Sequence, residues 1–178
     1  MKATCRLLVA GMLAFLPTVS SASDWPKQFA GLDGVALSCK DHSDGGYGRE
    51  LCESYLKEVE QTIAKAGVPV INQGFFRHDE DQPKKPEEFE NPLNVKLFIR
   101  GTAGGTIAIQ LRSRASVTYE AAVEKGVEGE GRSGELVVWE RSVTGSGPSK
   151  QLRPAISQAM VSRSSSLLGA VSKHWPDR

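Results

Sequence analysis

The feature that most restricts the fold is a change in hydrophobic period along the chain. Val95, Leu97 and Ile99 alternate with Lys96, Phe98 and Arg100, and after a Gly-rich break Ile107, Ile109 and Leu111 share one parity with Ala115, Val117 and Tyr119. A period of two is the mark of a strand with one buried and one wet face. Upstream, Leu51, Tyr55, Leu56, Val59 and Ile63 recur at steps of three and four, and Gly67 follows as a stop, which predicts an amphipathic helix over about 49–66. Each pattern leaves one apolar face that must be covered, so strands and helices belong to one layered α/β domain.

The remaining elements follow from the flanks. Leu32 to Ser38 reads as a short, largely buried strand, and Val68-Pro69-Val70-Ile71-Asn72 as a second one, with Pro69 near its beginning or on an edge. A strand, a helix and a strand in that order make the two strands parallel. Residues 95–101, 106–120 and 134–143 then form a three-strand antiparallel meander. Leu152, Ile156, Met160, Leu167, Leu168 and Val171 mark a long C-terminal helix, with Ser149 a cap candidate, Pro154 in its first turn and Trp175 anchoring its end. The expected architecture is a mixed sheet of about five strands, β-α-β followed by the meander, with two helices packed on one face.

The first residues carry an address. Lys2 and Arg6 precede the apolar run Leu7 to Leu16, Pro17 follows, and Ser20-Ser21-Ala22 supplies small residues for cleavage. This is the layout of a secretory signal peptide, since the run is about half of the roughly 20 residues that span a bilayer. Residues 1–22 are therefore expected to be removed, leaving 23–178 as a single exported domain without stable membrane insertion. Cys5 precedes the apolar run, so it is not placed for a lipid anchor. Asn72, Asn91 and Asn94 lie outside any Asn-x-Ser/Thr acceptor, which favours a periplasm over a eukaryotic secretory route, with full secretion as the alternative.

Export also decides how Cys39 and Cys52 are read. They are neither a Cys-x-x-Cys redox pair nor a zinc pattern, and in an oxidising compartment a structural disulfide is the default. The segment between them contains Gly45, Gly46 and Gly48, so a staple there is expected to restrain a loop. A second loop is expected at 77–92, where three prolines and many charges accompany one large apolar residue, Phe89.

The search for chemistry returns mostly negatives. His42, His78 and His174 form no His-Glu-x-x-His helix, and the chain has no Gly-x-Ser-x-Gly elbow. Asp41, His42 and Asp44 fail the calcium-hand spacing and are read as turn formers. The acidic cluster Asp79-Glu80-Asp81 with Glu87, Glu88 and Glu90 is interrupted by Lys84 and Lys85 and reads as a solvated loop. Gly101 to Gly105 joins two strands and lacks the Lys-Ser/Thr ending of a phosphate loop, so it reads as a turn. No catalytic residue, metal ligand or cofactor is expected. A net charge of +1 argues against a nucleic-acid backbone as the main partner.

One pattern points to binding. If the apolar parity of 95–111 faces the core, Lys96, Arg100, Arg112 and Arg114 project together from the other face of two paired strands, joined by Gln110. Such a basic stripe suits an acidic protein, an anionic glycan or lipid headgroups; the competing account is a solvated sheet surface with gatekeeping charges.

Three segments also carry a resemblance: Gly31-Leu32-Asp33-Gly34-Val35-Ala36-Leu37, Val95-Lys96-Leu97-Phe98-Ile99-Arg100-Gly101 and Gly134-Glu135-Leu136-Val137-Val138-Trp139. With the order of elements over most of 29–174, they are similar to the amino-terminal domain of TolB and to the envelope proteins of the LpoB and CsgG groups. Those families usually place a second helix between the second and third strands, where this chain has its Pro-rich segment, and the TolB propeller repeats and an LpoB-type lipid anchor are absent from its pattern. The resemblance implies an α/β adaptor docking onto another envelope protein, without catalysis and with no catalytic residue carried over. The alternatives are a hydrolase of envelope polymers, using an acid pair from Asp41, Asp44, Glu50 or the acidic loop, and a protein that binds a small ligand or metal.

Overall fold

The computed structural model describes residues 25–81, 84–121 and 132–176, so the expected signal peptide at 1–22 lies outside the described residues. The elements run α1 (Trp25–Phe29), β1 (Gly34–Ser43), α2 (Gly48–Lys65), β2 (Val70–Arg77), β3 (Pro92–Gly101), β4 (Thr106–Ala121), β5 (Arg132–Pro148) and α3 (Ser149–His174). The five strands form one mixed sheet in the order β2-β1-β3-β4-β5. β1 is parallel to β2, and β3, β4 and β5 pair antiparallel, as the sequence patterns predict; the parallel pairing of β1 with β3, which joins the two units, is a finding of the structure.

Helices α2 and α3 cover one face. Val35, Leu37 and Cys39 of β1, Val95, Leu97 and Ile99 of β3, and Ile107, Ile109 and Leu111 of β4 all point into that layer and are buried. They meet Leu51, Tyr55, Leu56, Val59 and Ile63 of α2 and Ile156, Met160, Leu167 and Val171 of α3. Tyr55 brings a hydroxyl into this apolar layer, which needs a partner there. It has two: Ser113 Oγ of β4 at 2.7 Å and Ser164 Oγ of α3 at 2.9 Å, and Ser164 also donates to the Met160 carbonyl at 3.1 Å. Both helices are thereby tied to the sheet through one polar contact. Trp175 packs on Phe29 with ring centroids 5.7 Å apart, so the end of α3 is anchored through α1, an element the sequence patterns do not mark.

Several boundaries differ from expectation for identifiable reasons. β1 continues to Ser43 because β3 pairs with it residue for residue from Gly34↔Pro92 to Ser43↔Gly101. The expected loop between the cysteines shrinks to Asp44 through Tyr47, and the disulfide, with Cα atoms 5.7 Å apart, joins a strand to a helix instead of restraining a loop. β5 runs on through Thr144–Pro148 because those residues pair with Thr106–Gln110. Gly145 lies close beneath α3 there, where a Cβ would come within 2.9 Å of the end of the Leu152 side chain. Ser149 is the first residue of α3, not its cap, and Pro154 sits beyond the first turn.

The segment between β2 and β3 has a topological task. β2 and β3 lie on opposite sides of β1 and both run parallel to it, so the chain must cross over β1 between them. The first crossover, from β1 to β2, uses α2 on the helical face. Reversing direction across the sheet with the same hand puts the second crossover on the other face. The segment 78–91 provides it, with no helix among its described residues, and this explains why β1 is buried on both sides near its start: Gly34 lies beneath the Phe89 ring, and Ala36 and Ser38 are buried. The expected exposed loop 77–92 is thus pinned at particular points. Phe89 and Pro86 are buried, the Asp33 carboxylate accepts from the amides of Glu90 and Asn91, and Gln73 donates to the Lys84 carbonyl at 2.7 Å.

Candidate functional site

Beyond that crossover no helix among the described residues covers the second face of the sheet. The register places its side chains in rows across the strands. One row runs Ser38, Lys96, Arg114 and Glu140, the next Phe76, Lys40, Phe98, Arg112 and Ser142, and the third His42, Arg100, Gln110 and Thr144. The four basic residues expected to share a face, Lys96, Arg100, Arg112 and Arg114, do so.

Their electrostatics differ from a bare basic stripe. Lys96 Nζ is 3.0 Å from Glu135 Oε1, while Arg112 and Arg114 converge on one oxygen of Glu140 at 2.7 and 2.9 Å. Burial opposes ionisation of Glu135 and Glu140, but the Ser116 hydroxyl and Lys96 at the first, and Arg112 and Arg114 at the second, outweigh it and hold both carboxyls below the usual range. Arg100 makes no ion pair among the described residues and is exposed. Arg112, Arg114 and Arg100 surround a shallow depression with Phe98 and Gln110.

Three further cations join the face that the sequence stripe omits. Lys40 lies between Phe76 and Phe98 in register, and Lys84 and Lys85 reach over from the crossover. Together these residues enclose a cavity of about 190 Å³ at the β2–β1–β3 end. The signal for Lys40 was present in its parity, but only the β1–β3 register makes that parity useful. The crossover lysines carried no such signal, because nothing local reveals which face a loop crosses. The field of these cations is visible at His42: partial burial first, then Lys40, Arg100 and His78, push its pKa below 6.5 against the opposing charge of Asp41.

The residues considered for acid chemistry are separated into other tasks. Asp41 faces the helical side and accepts from the Ser43 amide at 2.8 Å, and Glu50 is held by Arg153 of α3 at 2.7 Å. Glu80 accepts from the Arg77 amide at 2.8 Å, closing the turn after β2. Among the described residues no group of three or more His, Cys, Asp or Glu side chains is placed to hold a metal ion. Gly101–Gly105 is the β3–β4 turn, with Thr102 Oγ1 accepting from the Ala108 amide at 3.1 Å. Among the described residues no helix is long and apolar enough to cross a membrane. The chain matches no protein-family model and no curated protein.

Proposed function

We propose that this chain is an exported, disulfide-braced adaptor of a cell-envelope complex that binds an acidic surface on another envelope protein through the helix-free face of its sheet. The observation that carries the reading is the cluster of cations on that face: among the described residues Lys40, Lys96, Arg100, Arg112 and Arg114 project from its strands against the carboxylates Glu135 and Glu140, and Lys84 and Lys85 reach onto it from a crossover that also carries Glu87, Glu88 and Glu90. Complementary potential of this kind accelerates encounter and selects partners by charge. The pairs to Glu135 and Glu140 hold Lys96, Arg112 and Arg114 in fixed positions, leaving Arg100 as the exposed cation at the open end. The Cys39–Cys52 disulfide fits an oxidising, exported compartment. The signal-like amino terminus and the resemblance to periplasmic adaptor domains support a periplasmic address.

The test is capture from an envelope extract by the immobilised protein. Arg100→Glu combined with Gln110→Glu changes two exposed, cross-strand neighbours without breaking an ion pair, whereas reversing Arg112 or Arg114 would strand Glu140 among like charges. The double variant should keep its circular dichroism spectrum and lose a partner that wild-type protein and Lys57→Glu, altered on the outside of α2, both retain. Equal capture by all three proteins rejects the reading.

A further inference from the structure

We infer that the cavity between the sheet and the crossover binds a phosphomonoester carried on a ring. This goes beyond adaptor function, because it assigns a small-molecule site between the crossover and strands β2, β1 and β3, next to the Arg100 depression, with which it shares Phe98. The floor of the cavity is Lys40 and Lys96 with the Phe76 and Phe98 rings, and its wall is Lys84 and Lys85. No carboxylate is among the described residues that line it. One neighbouring acid, Glu135, offsets Lys96, and Lys85 donates to the Glu90 carbonyl at 3.0 Å, which positions its ammonium without neutralising it. Lys40 and Lys84 make no ion pair among the described residues.

Four lysines line one small space with no carboxylate among its described lining residues, and Lys40 and Lys84 are held by no ion pair there, which favours a ligand with at least two negative charges. A single carboxylate leaves most of the repulsion in place, whereas a phosphomonoester carries a charge of about −1.5 to −2 near neutral pH and three acceptor oxygens. Lysines present point charges that suit a tetrahedral anion approached from several sides. Ser38, Asn94 and Thr118 add neutral hydrogen-bonding groups to the lining, and the two phenyl rings offer flat apolar surface for the ring bearing the phosphate. The wall is in place before the ligand arrives: Gln73 fixes Lys84 through its carbonyl, Asp33 fixes the amides of Glu90 and Asn91, and Phe89 is buried against Gly34. A pre-formed wall spares the ligand the entropy of ordering it.

Titration calorimetry at low salt with phenyl phosphate, glucose 1-phosphate and inorganic phosphate tests the assignment and separates an aryl from a sugar ring. At least one ring phosphate should bind about tenfold or more tightly than inorganic phosphate, and Lys40→Gln with Lys84→Gln should weaken it by about tenfold or more, as expected for losing charge-assisted hydrogen bonds. Lys84→Gln alone, on the exposed crossover, should weaken it measurably while leaving the melting temperature unchanged. The Arg100→Glu/Gln110→Glu variant keeps every lining residue and should weaken binding less than Lys40→Gln with Lys84→Gln, so loss of capture and loss of ring-phosphate binding are separable. Ring phosphates binding no more tightly than inorganic phosphate, or binding unaffected by the lysine variants, overturns the inference.

Discussion

Phe89 is the residue on which the second crossover depends, and its replacement gives the most informative stability experiment. It is 7% exposed, in a segment otherwise dominated by Pro and charge, and its ring fills the space where Gly34 has no Cβ. Phe→Ala in a core costs about 3–5 kcal/mol, and a loop-borne site that can partly collapse belongs at the low end, about 3 kcal/mol. For a domain of this size that lowers the melting temperature by about 6–12 °C. The structure adds a sign that burial alone does not. Gly34→Ala in the wild-type protein drives a methyl group into the ring and should cost about 1–3 kcal/mol by overpacking. In the Phe89→Ala background the same methyl enters vacated space, and because Gly in a strand interior is worse than Ala by about 0.5–1 kcal/mol it should become neutral or stabilising. Differential scanning calorimetry of the four proteins completes the cycle. Additive effects, or a Phe89→Ala melting temperature within about 2 °C of wild type, would refute the packing of the crossover on β1.

Three other outcomes follow from the same packing. Replacing Cys39 and Cys52 together by Ala should cost about 3 kcal/mol through a looser unfolded chain, and chemical denaturation of the two proteins measures it. Tyr55→Phe should cost about 1–3 kcal/mol, because Ser113 loses its hydroxyl partner in a buried layer. Burial raises the Tyr55 pKa, so the stability from its protonated form is complete below about pH 10, the unfolded value, and is lost as pH climbs toward the folded one; an alkaline denaturation series should show that decline in wild type and less of it in Tyr55→Phe. Gly101→Ala should destabilise the β3–β4 end, since a Cβ there would overlap the Tyr47 hydroxyl, which donates to the Thr102 carbonyl at 3.1 Å, and a thermal melt reads the loss.

What was legible in the sequence was whatever repeats locally. The alternation of Val95 to Leu111 and the helical spacings from Leu51 to Ile63 and from Leu152 to Val171 report burial on one side, and together they yield the strands of the meander and the two covering helices. Boundaries failed where pairing overrides local preference. Lys40 to Ser43 looks like the start of a loop until β3 is beside it, and Thr144 to Pro148 looks like an ending until β4 supplies hydrogen-bonding partners. The parity of Lys96, Arg100, Arg112 and Arg114 was legible for the same reason as the strands. The neutralising role of Glu140 was not, because an edge strand's register is invisible before its bulge at Val138, between the pairs Ala115↔Trp139 and Ser116↔Val137, is known. Nor was the reach of Lys84 and Lys85, which depends on the face the crossover takes.

Site-specific photocrosslinking in the living cell envelope tests the central claim most directly. A photoreactive amino acid at position 110, exposed beside Arg100 at the open end of the helix-free face, should give a discrete protein adduct, and the same group at position 61, exposed on the outside of α2, should give none. Adding Arg100→Glu to the position 110 variant should abolish the adduct. An adduct formed from position 61 and absent from position 110 would place the partner on the helices and contradict the account.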